Sequence, residues 1–152
     1  MSGSVSNPQI AQGVINRIRG NIQIASFPAL NITASFLGEQ GFSFTRSGPA
    51  TTMINTLTGR VPSPEPYQSV DIEIHLVKSQ ALASAWESQL QTLSTIGSIL
   101  VYTDAATLTN YQFTQCAISN VAAISANGKS ADYTVTLTGT YIINNSLWAL
   151  VV

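Results

Sequence analysis

The chain has 152 residues, enough for one domain with a real buried core. Hydrophobic residues make up 45%, which argues against disorder, but charged residues make up only 9%, against about 25% in ordinary soluble domains. The net charge of −1 excludes an electrostatic grip on nucleic acid or on an anionic membrane.

Ser, Thr, Asn and Gln replace the missing charge. Charge keeps copies of a protein apart, so a neutral polar surface points to self-association. Cys116 is the single cysteine; no intrachain disulfide can form, which fits a reducing compartment. No basic segment followed by an apolar one opens the sequence, so no secretory leader is expected. No apolar run reaches the roughly 18 residues of a membrane span.

In chain order, residues 1–15 read as a polar-to-apolar N-terminal arm. Residues 21–25 and 29–37 read as strands, the second with Leu30, Ile32, Ala34 and Phe36 alternating with Asn31, Thr33 and Ser35. Residues 38–41, Gly-Glu-Gln-Gly, read as a turn before a strand at 42–46. Residues 47–68 are too long for an ordinary connection. They hold Met53, Ile54, Leu57 and Arg60, then Pro62, Pro64 and Pro66. An apolar centre in such a stretch predicts a projecting arm that docks on something.

A strand follows at 70–77, with Val70, Ile72, Ile74 and Leu76 on one face and Asp71, Glu73 and His75 on the other. Ser79 is expected to cap one helix over 80–94, with Leu82, Trp86, Leu90 and Leu93 as its buried stripe and Gly97 beyond its end. Strands are predicted at 99–103 and 111–124, the latter bulged near Cys116. Asn127-Gly128 is a type I′ hairpin signal. The strand it leads into, 132–143, alternates strictly. Tyr133, Val135, Leu137, Gly139, Tyr141 and Ile143 face one way; Asp132, Thr134, Thr136, Thr138 and Thr140 face the other, as the two-residue period of a strand requires. The terminal residues 144–152, with Leu147 and Trp148, form an apolar tail that must dock on its own domain or on a neighbour.

No pattern of catalytic residues stands out, and no enzyme activity is expected. Asp71, Glu73 and His75 could converge on a divalent ion, but no second histidine exists, and a half-exposed polar strand face explains them better. Residues 127–130, Asn-Gly-Lys-Ser, imitate the end of a phosphate-binding loop. The required preceding glycine is Ala123, and a strand follows where a helix is needed. Cys116 and His75 lack an orienting third group. No metal or other cofactor is expected.

Taken together, PALNITASFLGEQGFSF at 28–44, TTMINTLTGRVPSPEPYQ at 51–68, VDIEIHLVKSQALASAWESQL at 70–90 and YTVTLTGTYIINNSLW at 133–148 resemble the tail tube proteins of bacteriophages, most closely those of contractile tails. These proteins are similar in turn to the tubes of type VI secretion and related injection machines. The resemblance implies a mainly β fold, a β-sandwich or barrel-like domain with one flanking helix. It implies hexameric rings stacked into a hollow tube, assembled in the host cytoplasm and carried in the virion tail. Sheath, tape measure, baseplate and tail terminator proteins would be partners, with double-stranded DNA passing without specific binding and no membrane contact. The arm, with Met53, Ile54, Leu57 and Arg60, would reach an adjacent subunit. Asp71 and Glu73, or Thr134, Thr136 and Thr138, are candidates for the lumen wall, and Leu147 and Trp148 for a docking tail. Two alternatives stand beside it: the tube of an injection or secretion system carrying protein, and a β-sandwich binding or fibre module.

Overall fold

The computed structural model describes residues 11–121, 124 and 126–148. Among the described residues eight strands form: β1 Asn21–Ile24, β2 Leu37–Ser47, β3 Thr51–Asn55, β4 Arg60–Pro64, β5 Tyr67–Val77, β6 Thr95–Tyr102, β7 Tyr111–Val121 and β8 Asp132–Ile142. The helix α1 spans Ala81–Thr92, and a single turn, α2, spans Asn145–Trp148. Six strands make one antiparallel sheet in the order β1-β6-β7-β8-β5-β2, and β3 and β4 pair separately. The expectation of a mainly β, barrel-like fold is met as a single sheet curled into a half-barrel.

The alternation seen in the sequence decides which way each strand faces. Val70, Ile72, Ile74 and Leu76 of β5 and Tyr133, Val135 and Leu137 of β8 are buried, and their odd–even neighbours are not. The concave face of the sheet is closed by α1, where Trp86 is fully buried and Leu82 and Ala83 nearly so. Tyr133 of β8 donates its hydroxyl to the Glu87 carboxylate on α1, pinning helix to sheet. Toward one end, Phe44, Tyr111, Phe113 and Tyr141 cluster, with Tyr111 and Phe113 stacked at 6.3 Å and the other ring pairs edge-to-face or tilted at 5.1 to 5.9 Å. The Arg46 guanidinium lies 5.4 Å from the Tyr141 ring centroid and 5.9 Å from that of Tyr111, so this exposed cation rests against ring faces.

Several expected elements differ. Residues 29–37 do not form a strand. Pro28 opens a 3-10 turn, Pro28–Leu30, and another follows at Ala34–Phe36. Before Leu37, where β2 begins, only Ile32 reaches the sheet, through a single bridge to Ile22. The Asn31 side chain accepts from the Ile24 amide at 2.7 Å, a local bond that replaces a ladder bond. Residues 38–41 are not a turn between strands but an irregularity inside β2, where the register on β5 jumps between Leu37 and Phe42 and Gly41 has φ +64°. The helix is shorter than 80–94, and Ser79 does not cap it. Gln80 occupies the cap position with no side-chain bond, and Leu93 is 53% exposed beyond the last turn. Gly97 lies inside β6 at φ +78°. Asn127-Gly128 is not a type I′ turn: Gly128 has φ +76° but Asn127 stays outside the left-handed region. Its side chain instead accepts from the Lys129 amide at 2.9 Å, an Asx-type turn within a longer connection between β7 and β8.

The bulge expected near Cys116 is present. Gln115 sits at φ +53°, and the β7–β8 register shifts between Thr114 and Ala117. The extra residue turns Cys116 inward beside Phe113 and Ile118, and all three are buried.

Candidate functional site

Two surfaces carry the functional argument: the outer face of the sheet and the β3–β4 hairpin. On the first, the register brings both sets of polar candidates together. Asp71 of β5 lies opposite Thr138 of β8, Glu73 opposite Thr136, and His75 opposite Thr134. The acids and the threonine row are therefore neighbours on one face, not alternatives on two. The face extends outward on both sides. Ser43 and Thr45 of β2 flank Glu73 and Asp71; Thr114 and Asn120 of β7 flank Thr140 and Thr136. None of these positions is Lys or Arg.

Local contacts tie the polar rows of the two strands together. His75 Nε2 lies 3.1 Å from Glu73 Oε1, and Nδ1 lies 3.9 Å from Asp132 Oδ2. Thr134 Oγ1 is 3.3 Å from the same Nδ1. The imidazole thus spans the polar rows of two strands. Among the described residues no group of three His, Cys, Asp or Glu side chains is placed to hold a metal.

The second surface is the segment read as an arm. It is an ordered hairpin, with Met53 opposite Pro62, Ile54 opposite Val61 and Asn55 opposite Arg60. The tip is closed by the Thr56 amide donating to Gly59 O at 2.7 Å and by the Thr56 hydroxyl on the same carbonyl at 2.9 Å. Every apolar side chain in it is open to solvent: Met53 41%, Ile54 52%, Val61 49% and Leu57 100% exposed. An isolated two-stranded hairpin with apolar side chains in water is marginal. Val61 was not singled out in the sequence, although its place opposite Ile54 makes it part of the same patch.

Among the described residues, the hydrogen bonds that tie the hairpin to the rest of the chain lie at its feet, and residues near the described C-terminal end supply several of them. Gln68 Nε2 donates to Gly48 O at 2.9 Å. Asn144 Nδ2 donates to Glu65 O at 2.6 Å and to Ala50 O at 3.2 Å. Trp148 Nε1 donates to Pro66 O and Ile143 O, each at 3.2 Å. Trp148 is thus docked on its own chain, at the base of the arm, while it stays 43% exposed and Leu147 36% exposed. Asn144 reaches both feet from φ +52°, a conformation that Asn tolerates better than most residues. Residues 1–10 and 149–152 of the two predicted terminal segments lie outside the described residues. In the part described, Val14, Ile15 and Ile18 are exposed at 88%, 73% and 72%.

Burial in the core shifts two titratable groups. Burial pushes the Cys116 thiol up to about 11, outweighing backbone hydrogen bonds that pull the other way. Burial, and then the Glu87 carboxylate, push the Tyr133 hydroxyl above its ordinary range.

These features define a mainly β protein whose sheet offers a hydroxylated face with a few acids and whose hairpin offers an exposed apolar one. No protein-family model and no curated protein matches the chain. Among solved structures it is similar to the cryo-EM structure of the anti-feeding prophage cap, the AFP tube terminating cap. The identity is 13% over 91% of this chain and 95% of that one, with a TM-score of 0.44.

Proposed function

We propose that this chain is the structural subunit of a phage-type tail tube: copies close into hexameric rings, and the rings stack around a central channel. The observation that carries the reading is the shared face of β5 and β8, where Asp71 and Glu73 stand directly beside Thr138 and Thr136. A wall that DNA must slide past cannot display cations, because attraction repeated at each subunit and ring would multiply along the path. A face of hydroxyls with a few acids repels weakly and offers only exchangeable hydrogen bonds. The projecting hairpin supports the same reading. A protruding patch that meets a different patch on the next copy makes a head-to-tail contact, and such contacts close into rings or run on as filaments.

In this account Asp71, Glu73, Thr134, Thr136 and Thr138 face the lumen, the hairpin carries the contact between copies, and the surface outside the ring meets sheath. Tape measure, baseplate and terminator proteins meet the tube's interior and ends, and the genome passes through without specific binding. Sedimentation velocity across a concentration series tests the reading. Hexamers and larger polymers are expected; a single monomeric boundary at all concentrations refutes it.

A further inference from the structure

The hydrogen bonding of the hairpin restricts how it can be met. The Thr56 amide bonds Gly59 O at the tip, and the Glu65 amide bonds Ala50 O at 2.9 Å at the feet. In an antiparallel pair, bonded and non-bonded pairs alternate. With the observed register, Ile54/Val61 and Thr52/Ser63 are bonded pairs, whereas Met53/Pro62 and Thr51/Pro64 are not. Pro62 and Pro64 therefore turn their donor-less nitrogens to the outer edge of β4. That edge cannot template another strand, so along β4 a partner must use the hairpin's side chains.

The same chain carries a matching recess. β1 and β2 are the outermost strands of the curled sheet, and their ends approach each other. A Cβ added at Gly20 would lie 3.3 Å from the Phe42 ring. The seam leaves a groove of about 380 Å³ lined by Leu37, Phe42, Phe44 and Leu108, with Asp104 as the one charged lining residue. The nearby Arg19 guanidinium is engaged by the Thr103 and Ala105 carbonyls, at 2.5 and 3.4 Å. Across 51–64 the one charged residue is Arg60. Among the described residues neither the Arg60 guanidinium nor the Asp104 carboxylate has a partner.

We propose that the hairpin tip of one copy seats in the seam groove of another, with Leu57 against Leu37, Phe42 and Leu108 and the Arg60 guanidinium on the Asp104 carboxylate. The proposal rests on the self-assembly reading and adds its address. The complementarity of a fully exposed apolar tip with an apolar groove, each carrying a single and opposite charge, makes a second copy the occupant. The hairpin's bonds to the rest of its own chain lie at its feet, around Gly48, Ala50, Glu65 and Pro66, which leaves the tip free to enter a neighbour.

The test compares wild type, Arg60→Glu, Asp104→Lys and the double variant by sedimentation and electron microscopy, with circular dichroism to confirm folding. Each single reversal is expected to raise the protein concentration needed for assembly at least about tenfold, and the double variant to recover it. In parallel, a chain carrying Leu57→Cys and Leu108→Cys, oxidised under assembly conditions, is expected to give a ladder of disulfide-linked oligomers. Wild-type assembly by both single variants, an unrescued double variant, or a cysteine pair that stays monomeric while wild type polymerises overturns the seat and leaves the tube reading standing. A wild type that never assembles overturns both.

Discussion

Gly139 of β8 offers the sharpest test of how the sheet is packed. It lies across from the β7 bulge, and its backbone is ordinary strand, so alanine meets no conformational barrier there. The obstacle is steric: a Cβ at this position would sit 2.6 Å from Cys116 Sγ, with Cys116 Cβ and Thr114 O both at 3.5 Å. Cys116 is fully buried and cannot swing out, so Gly139→Ala should cost about 1–3 kcal/mol by overpacking. At a urea slope of about 2 kcal/mol/M, 2 kcal/mol lowers the unfolding midpoint by about 1 M. The double-mutant cycle with Cys116→Ala identifies the cause. Removing the sulfur leaves only the two ordinary 3.5 Å contacts, and glycine in a strand interior is itself unfavourable by about 0.5–1 kcal/mol relative to alanine. In the Cys116→Ala background, Gly139→Ala should therefore become neutral or stabilising, a change of sign. Equal cost in both backgrounds, by chemical denaturation followed by tryptophan fluorescence, would refute the steric account.

The remaining predictions follow from the same contacts. Tyr133→Phe removes the hydroxyl that holds Glu87 and should lower stability by about 1–2 kcal/mol, read as a fall in Tm. Because burial raises the Cys116 thiol from 9.0 to about 11, its contribution to stability is intact below pH 9 and lost as the pH rises through about 11; Cys116→Ala should flatten that part of the stability–pH curve. The same burial predicts that Cys116 resists a thiol reagent at neutral pH until the protein is unfolded. Replacing 51–64 with a two-residue turn, where the Glu65 amide already bonds Ala50 O, should leave a folded monomer that no longer polymerises; unfolding would show that the hairpin belongs to the core. In an assembling phage, Glu73→Lys or Thr136→Lys should permit normal tubes but slow DNA ejection in a salt-relieved manner, whereas normal ejection from normal tubes would place that residue outside the lumen.

The strands with full alternation, β5 and β8, were legible in the sequence because each buries one face and exposes the other. Their mutual register was not legible: nothing local says that Glu73 pairs with Thr136, so the two polar rows could only be offered as alternatives. Glycine misled twice for one physical reason. A left-handed residue serves a turn or a strand irregularity equally well, and Gly41 and Gly97 sit in strands. At 28–36 the sequence alternates like a strand, but Leu30 and Ile32 satisfy the core from 3-10 turns and one bridge. The arm was visible as an anomaly of length and proline content, yet its strands were not, since Thr-Leu-Thr-Gly is no standard two-residue turn signal. Wholly invisible were the features assembled from distant segments: the Asn144 and Trp148 bonds to the arm's feet, and a groove built from Gly20, Phe42 and Asp104 where the curled sheet nearly meets itself.

The central claim is that copies of this chain build a hollow tube, and negative-stain electron microscopy of the purified protein at high concentration tests it most directly. The account predicts sixfold rings with a central channel and stacks of them at regular spacing. A field of separate small particles, with neither rings nor tubes, would contradict it.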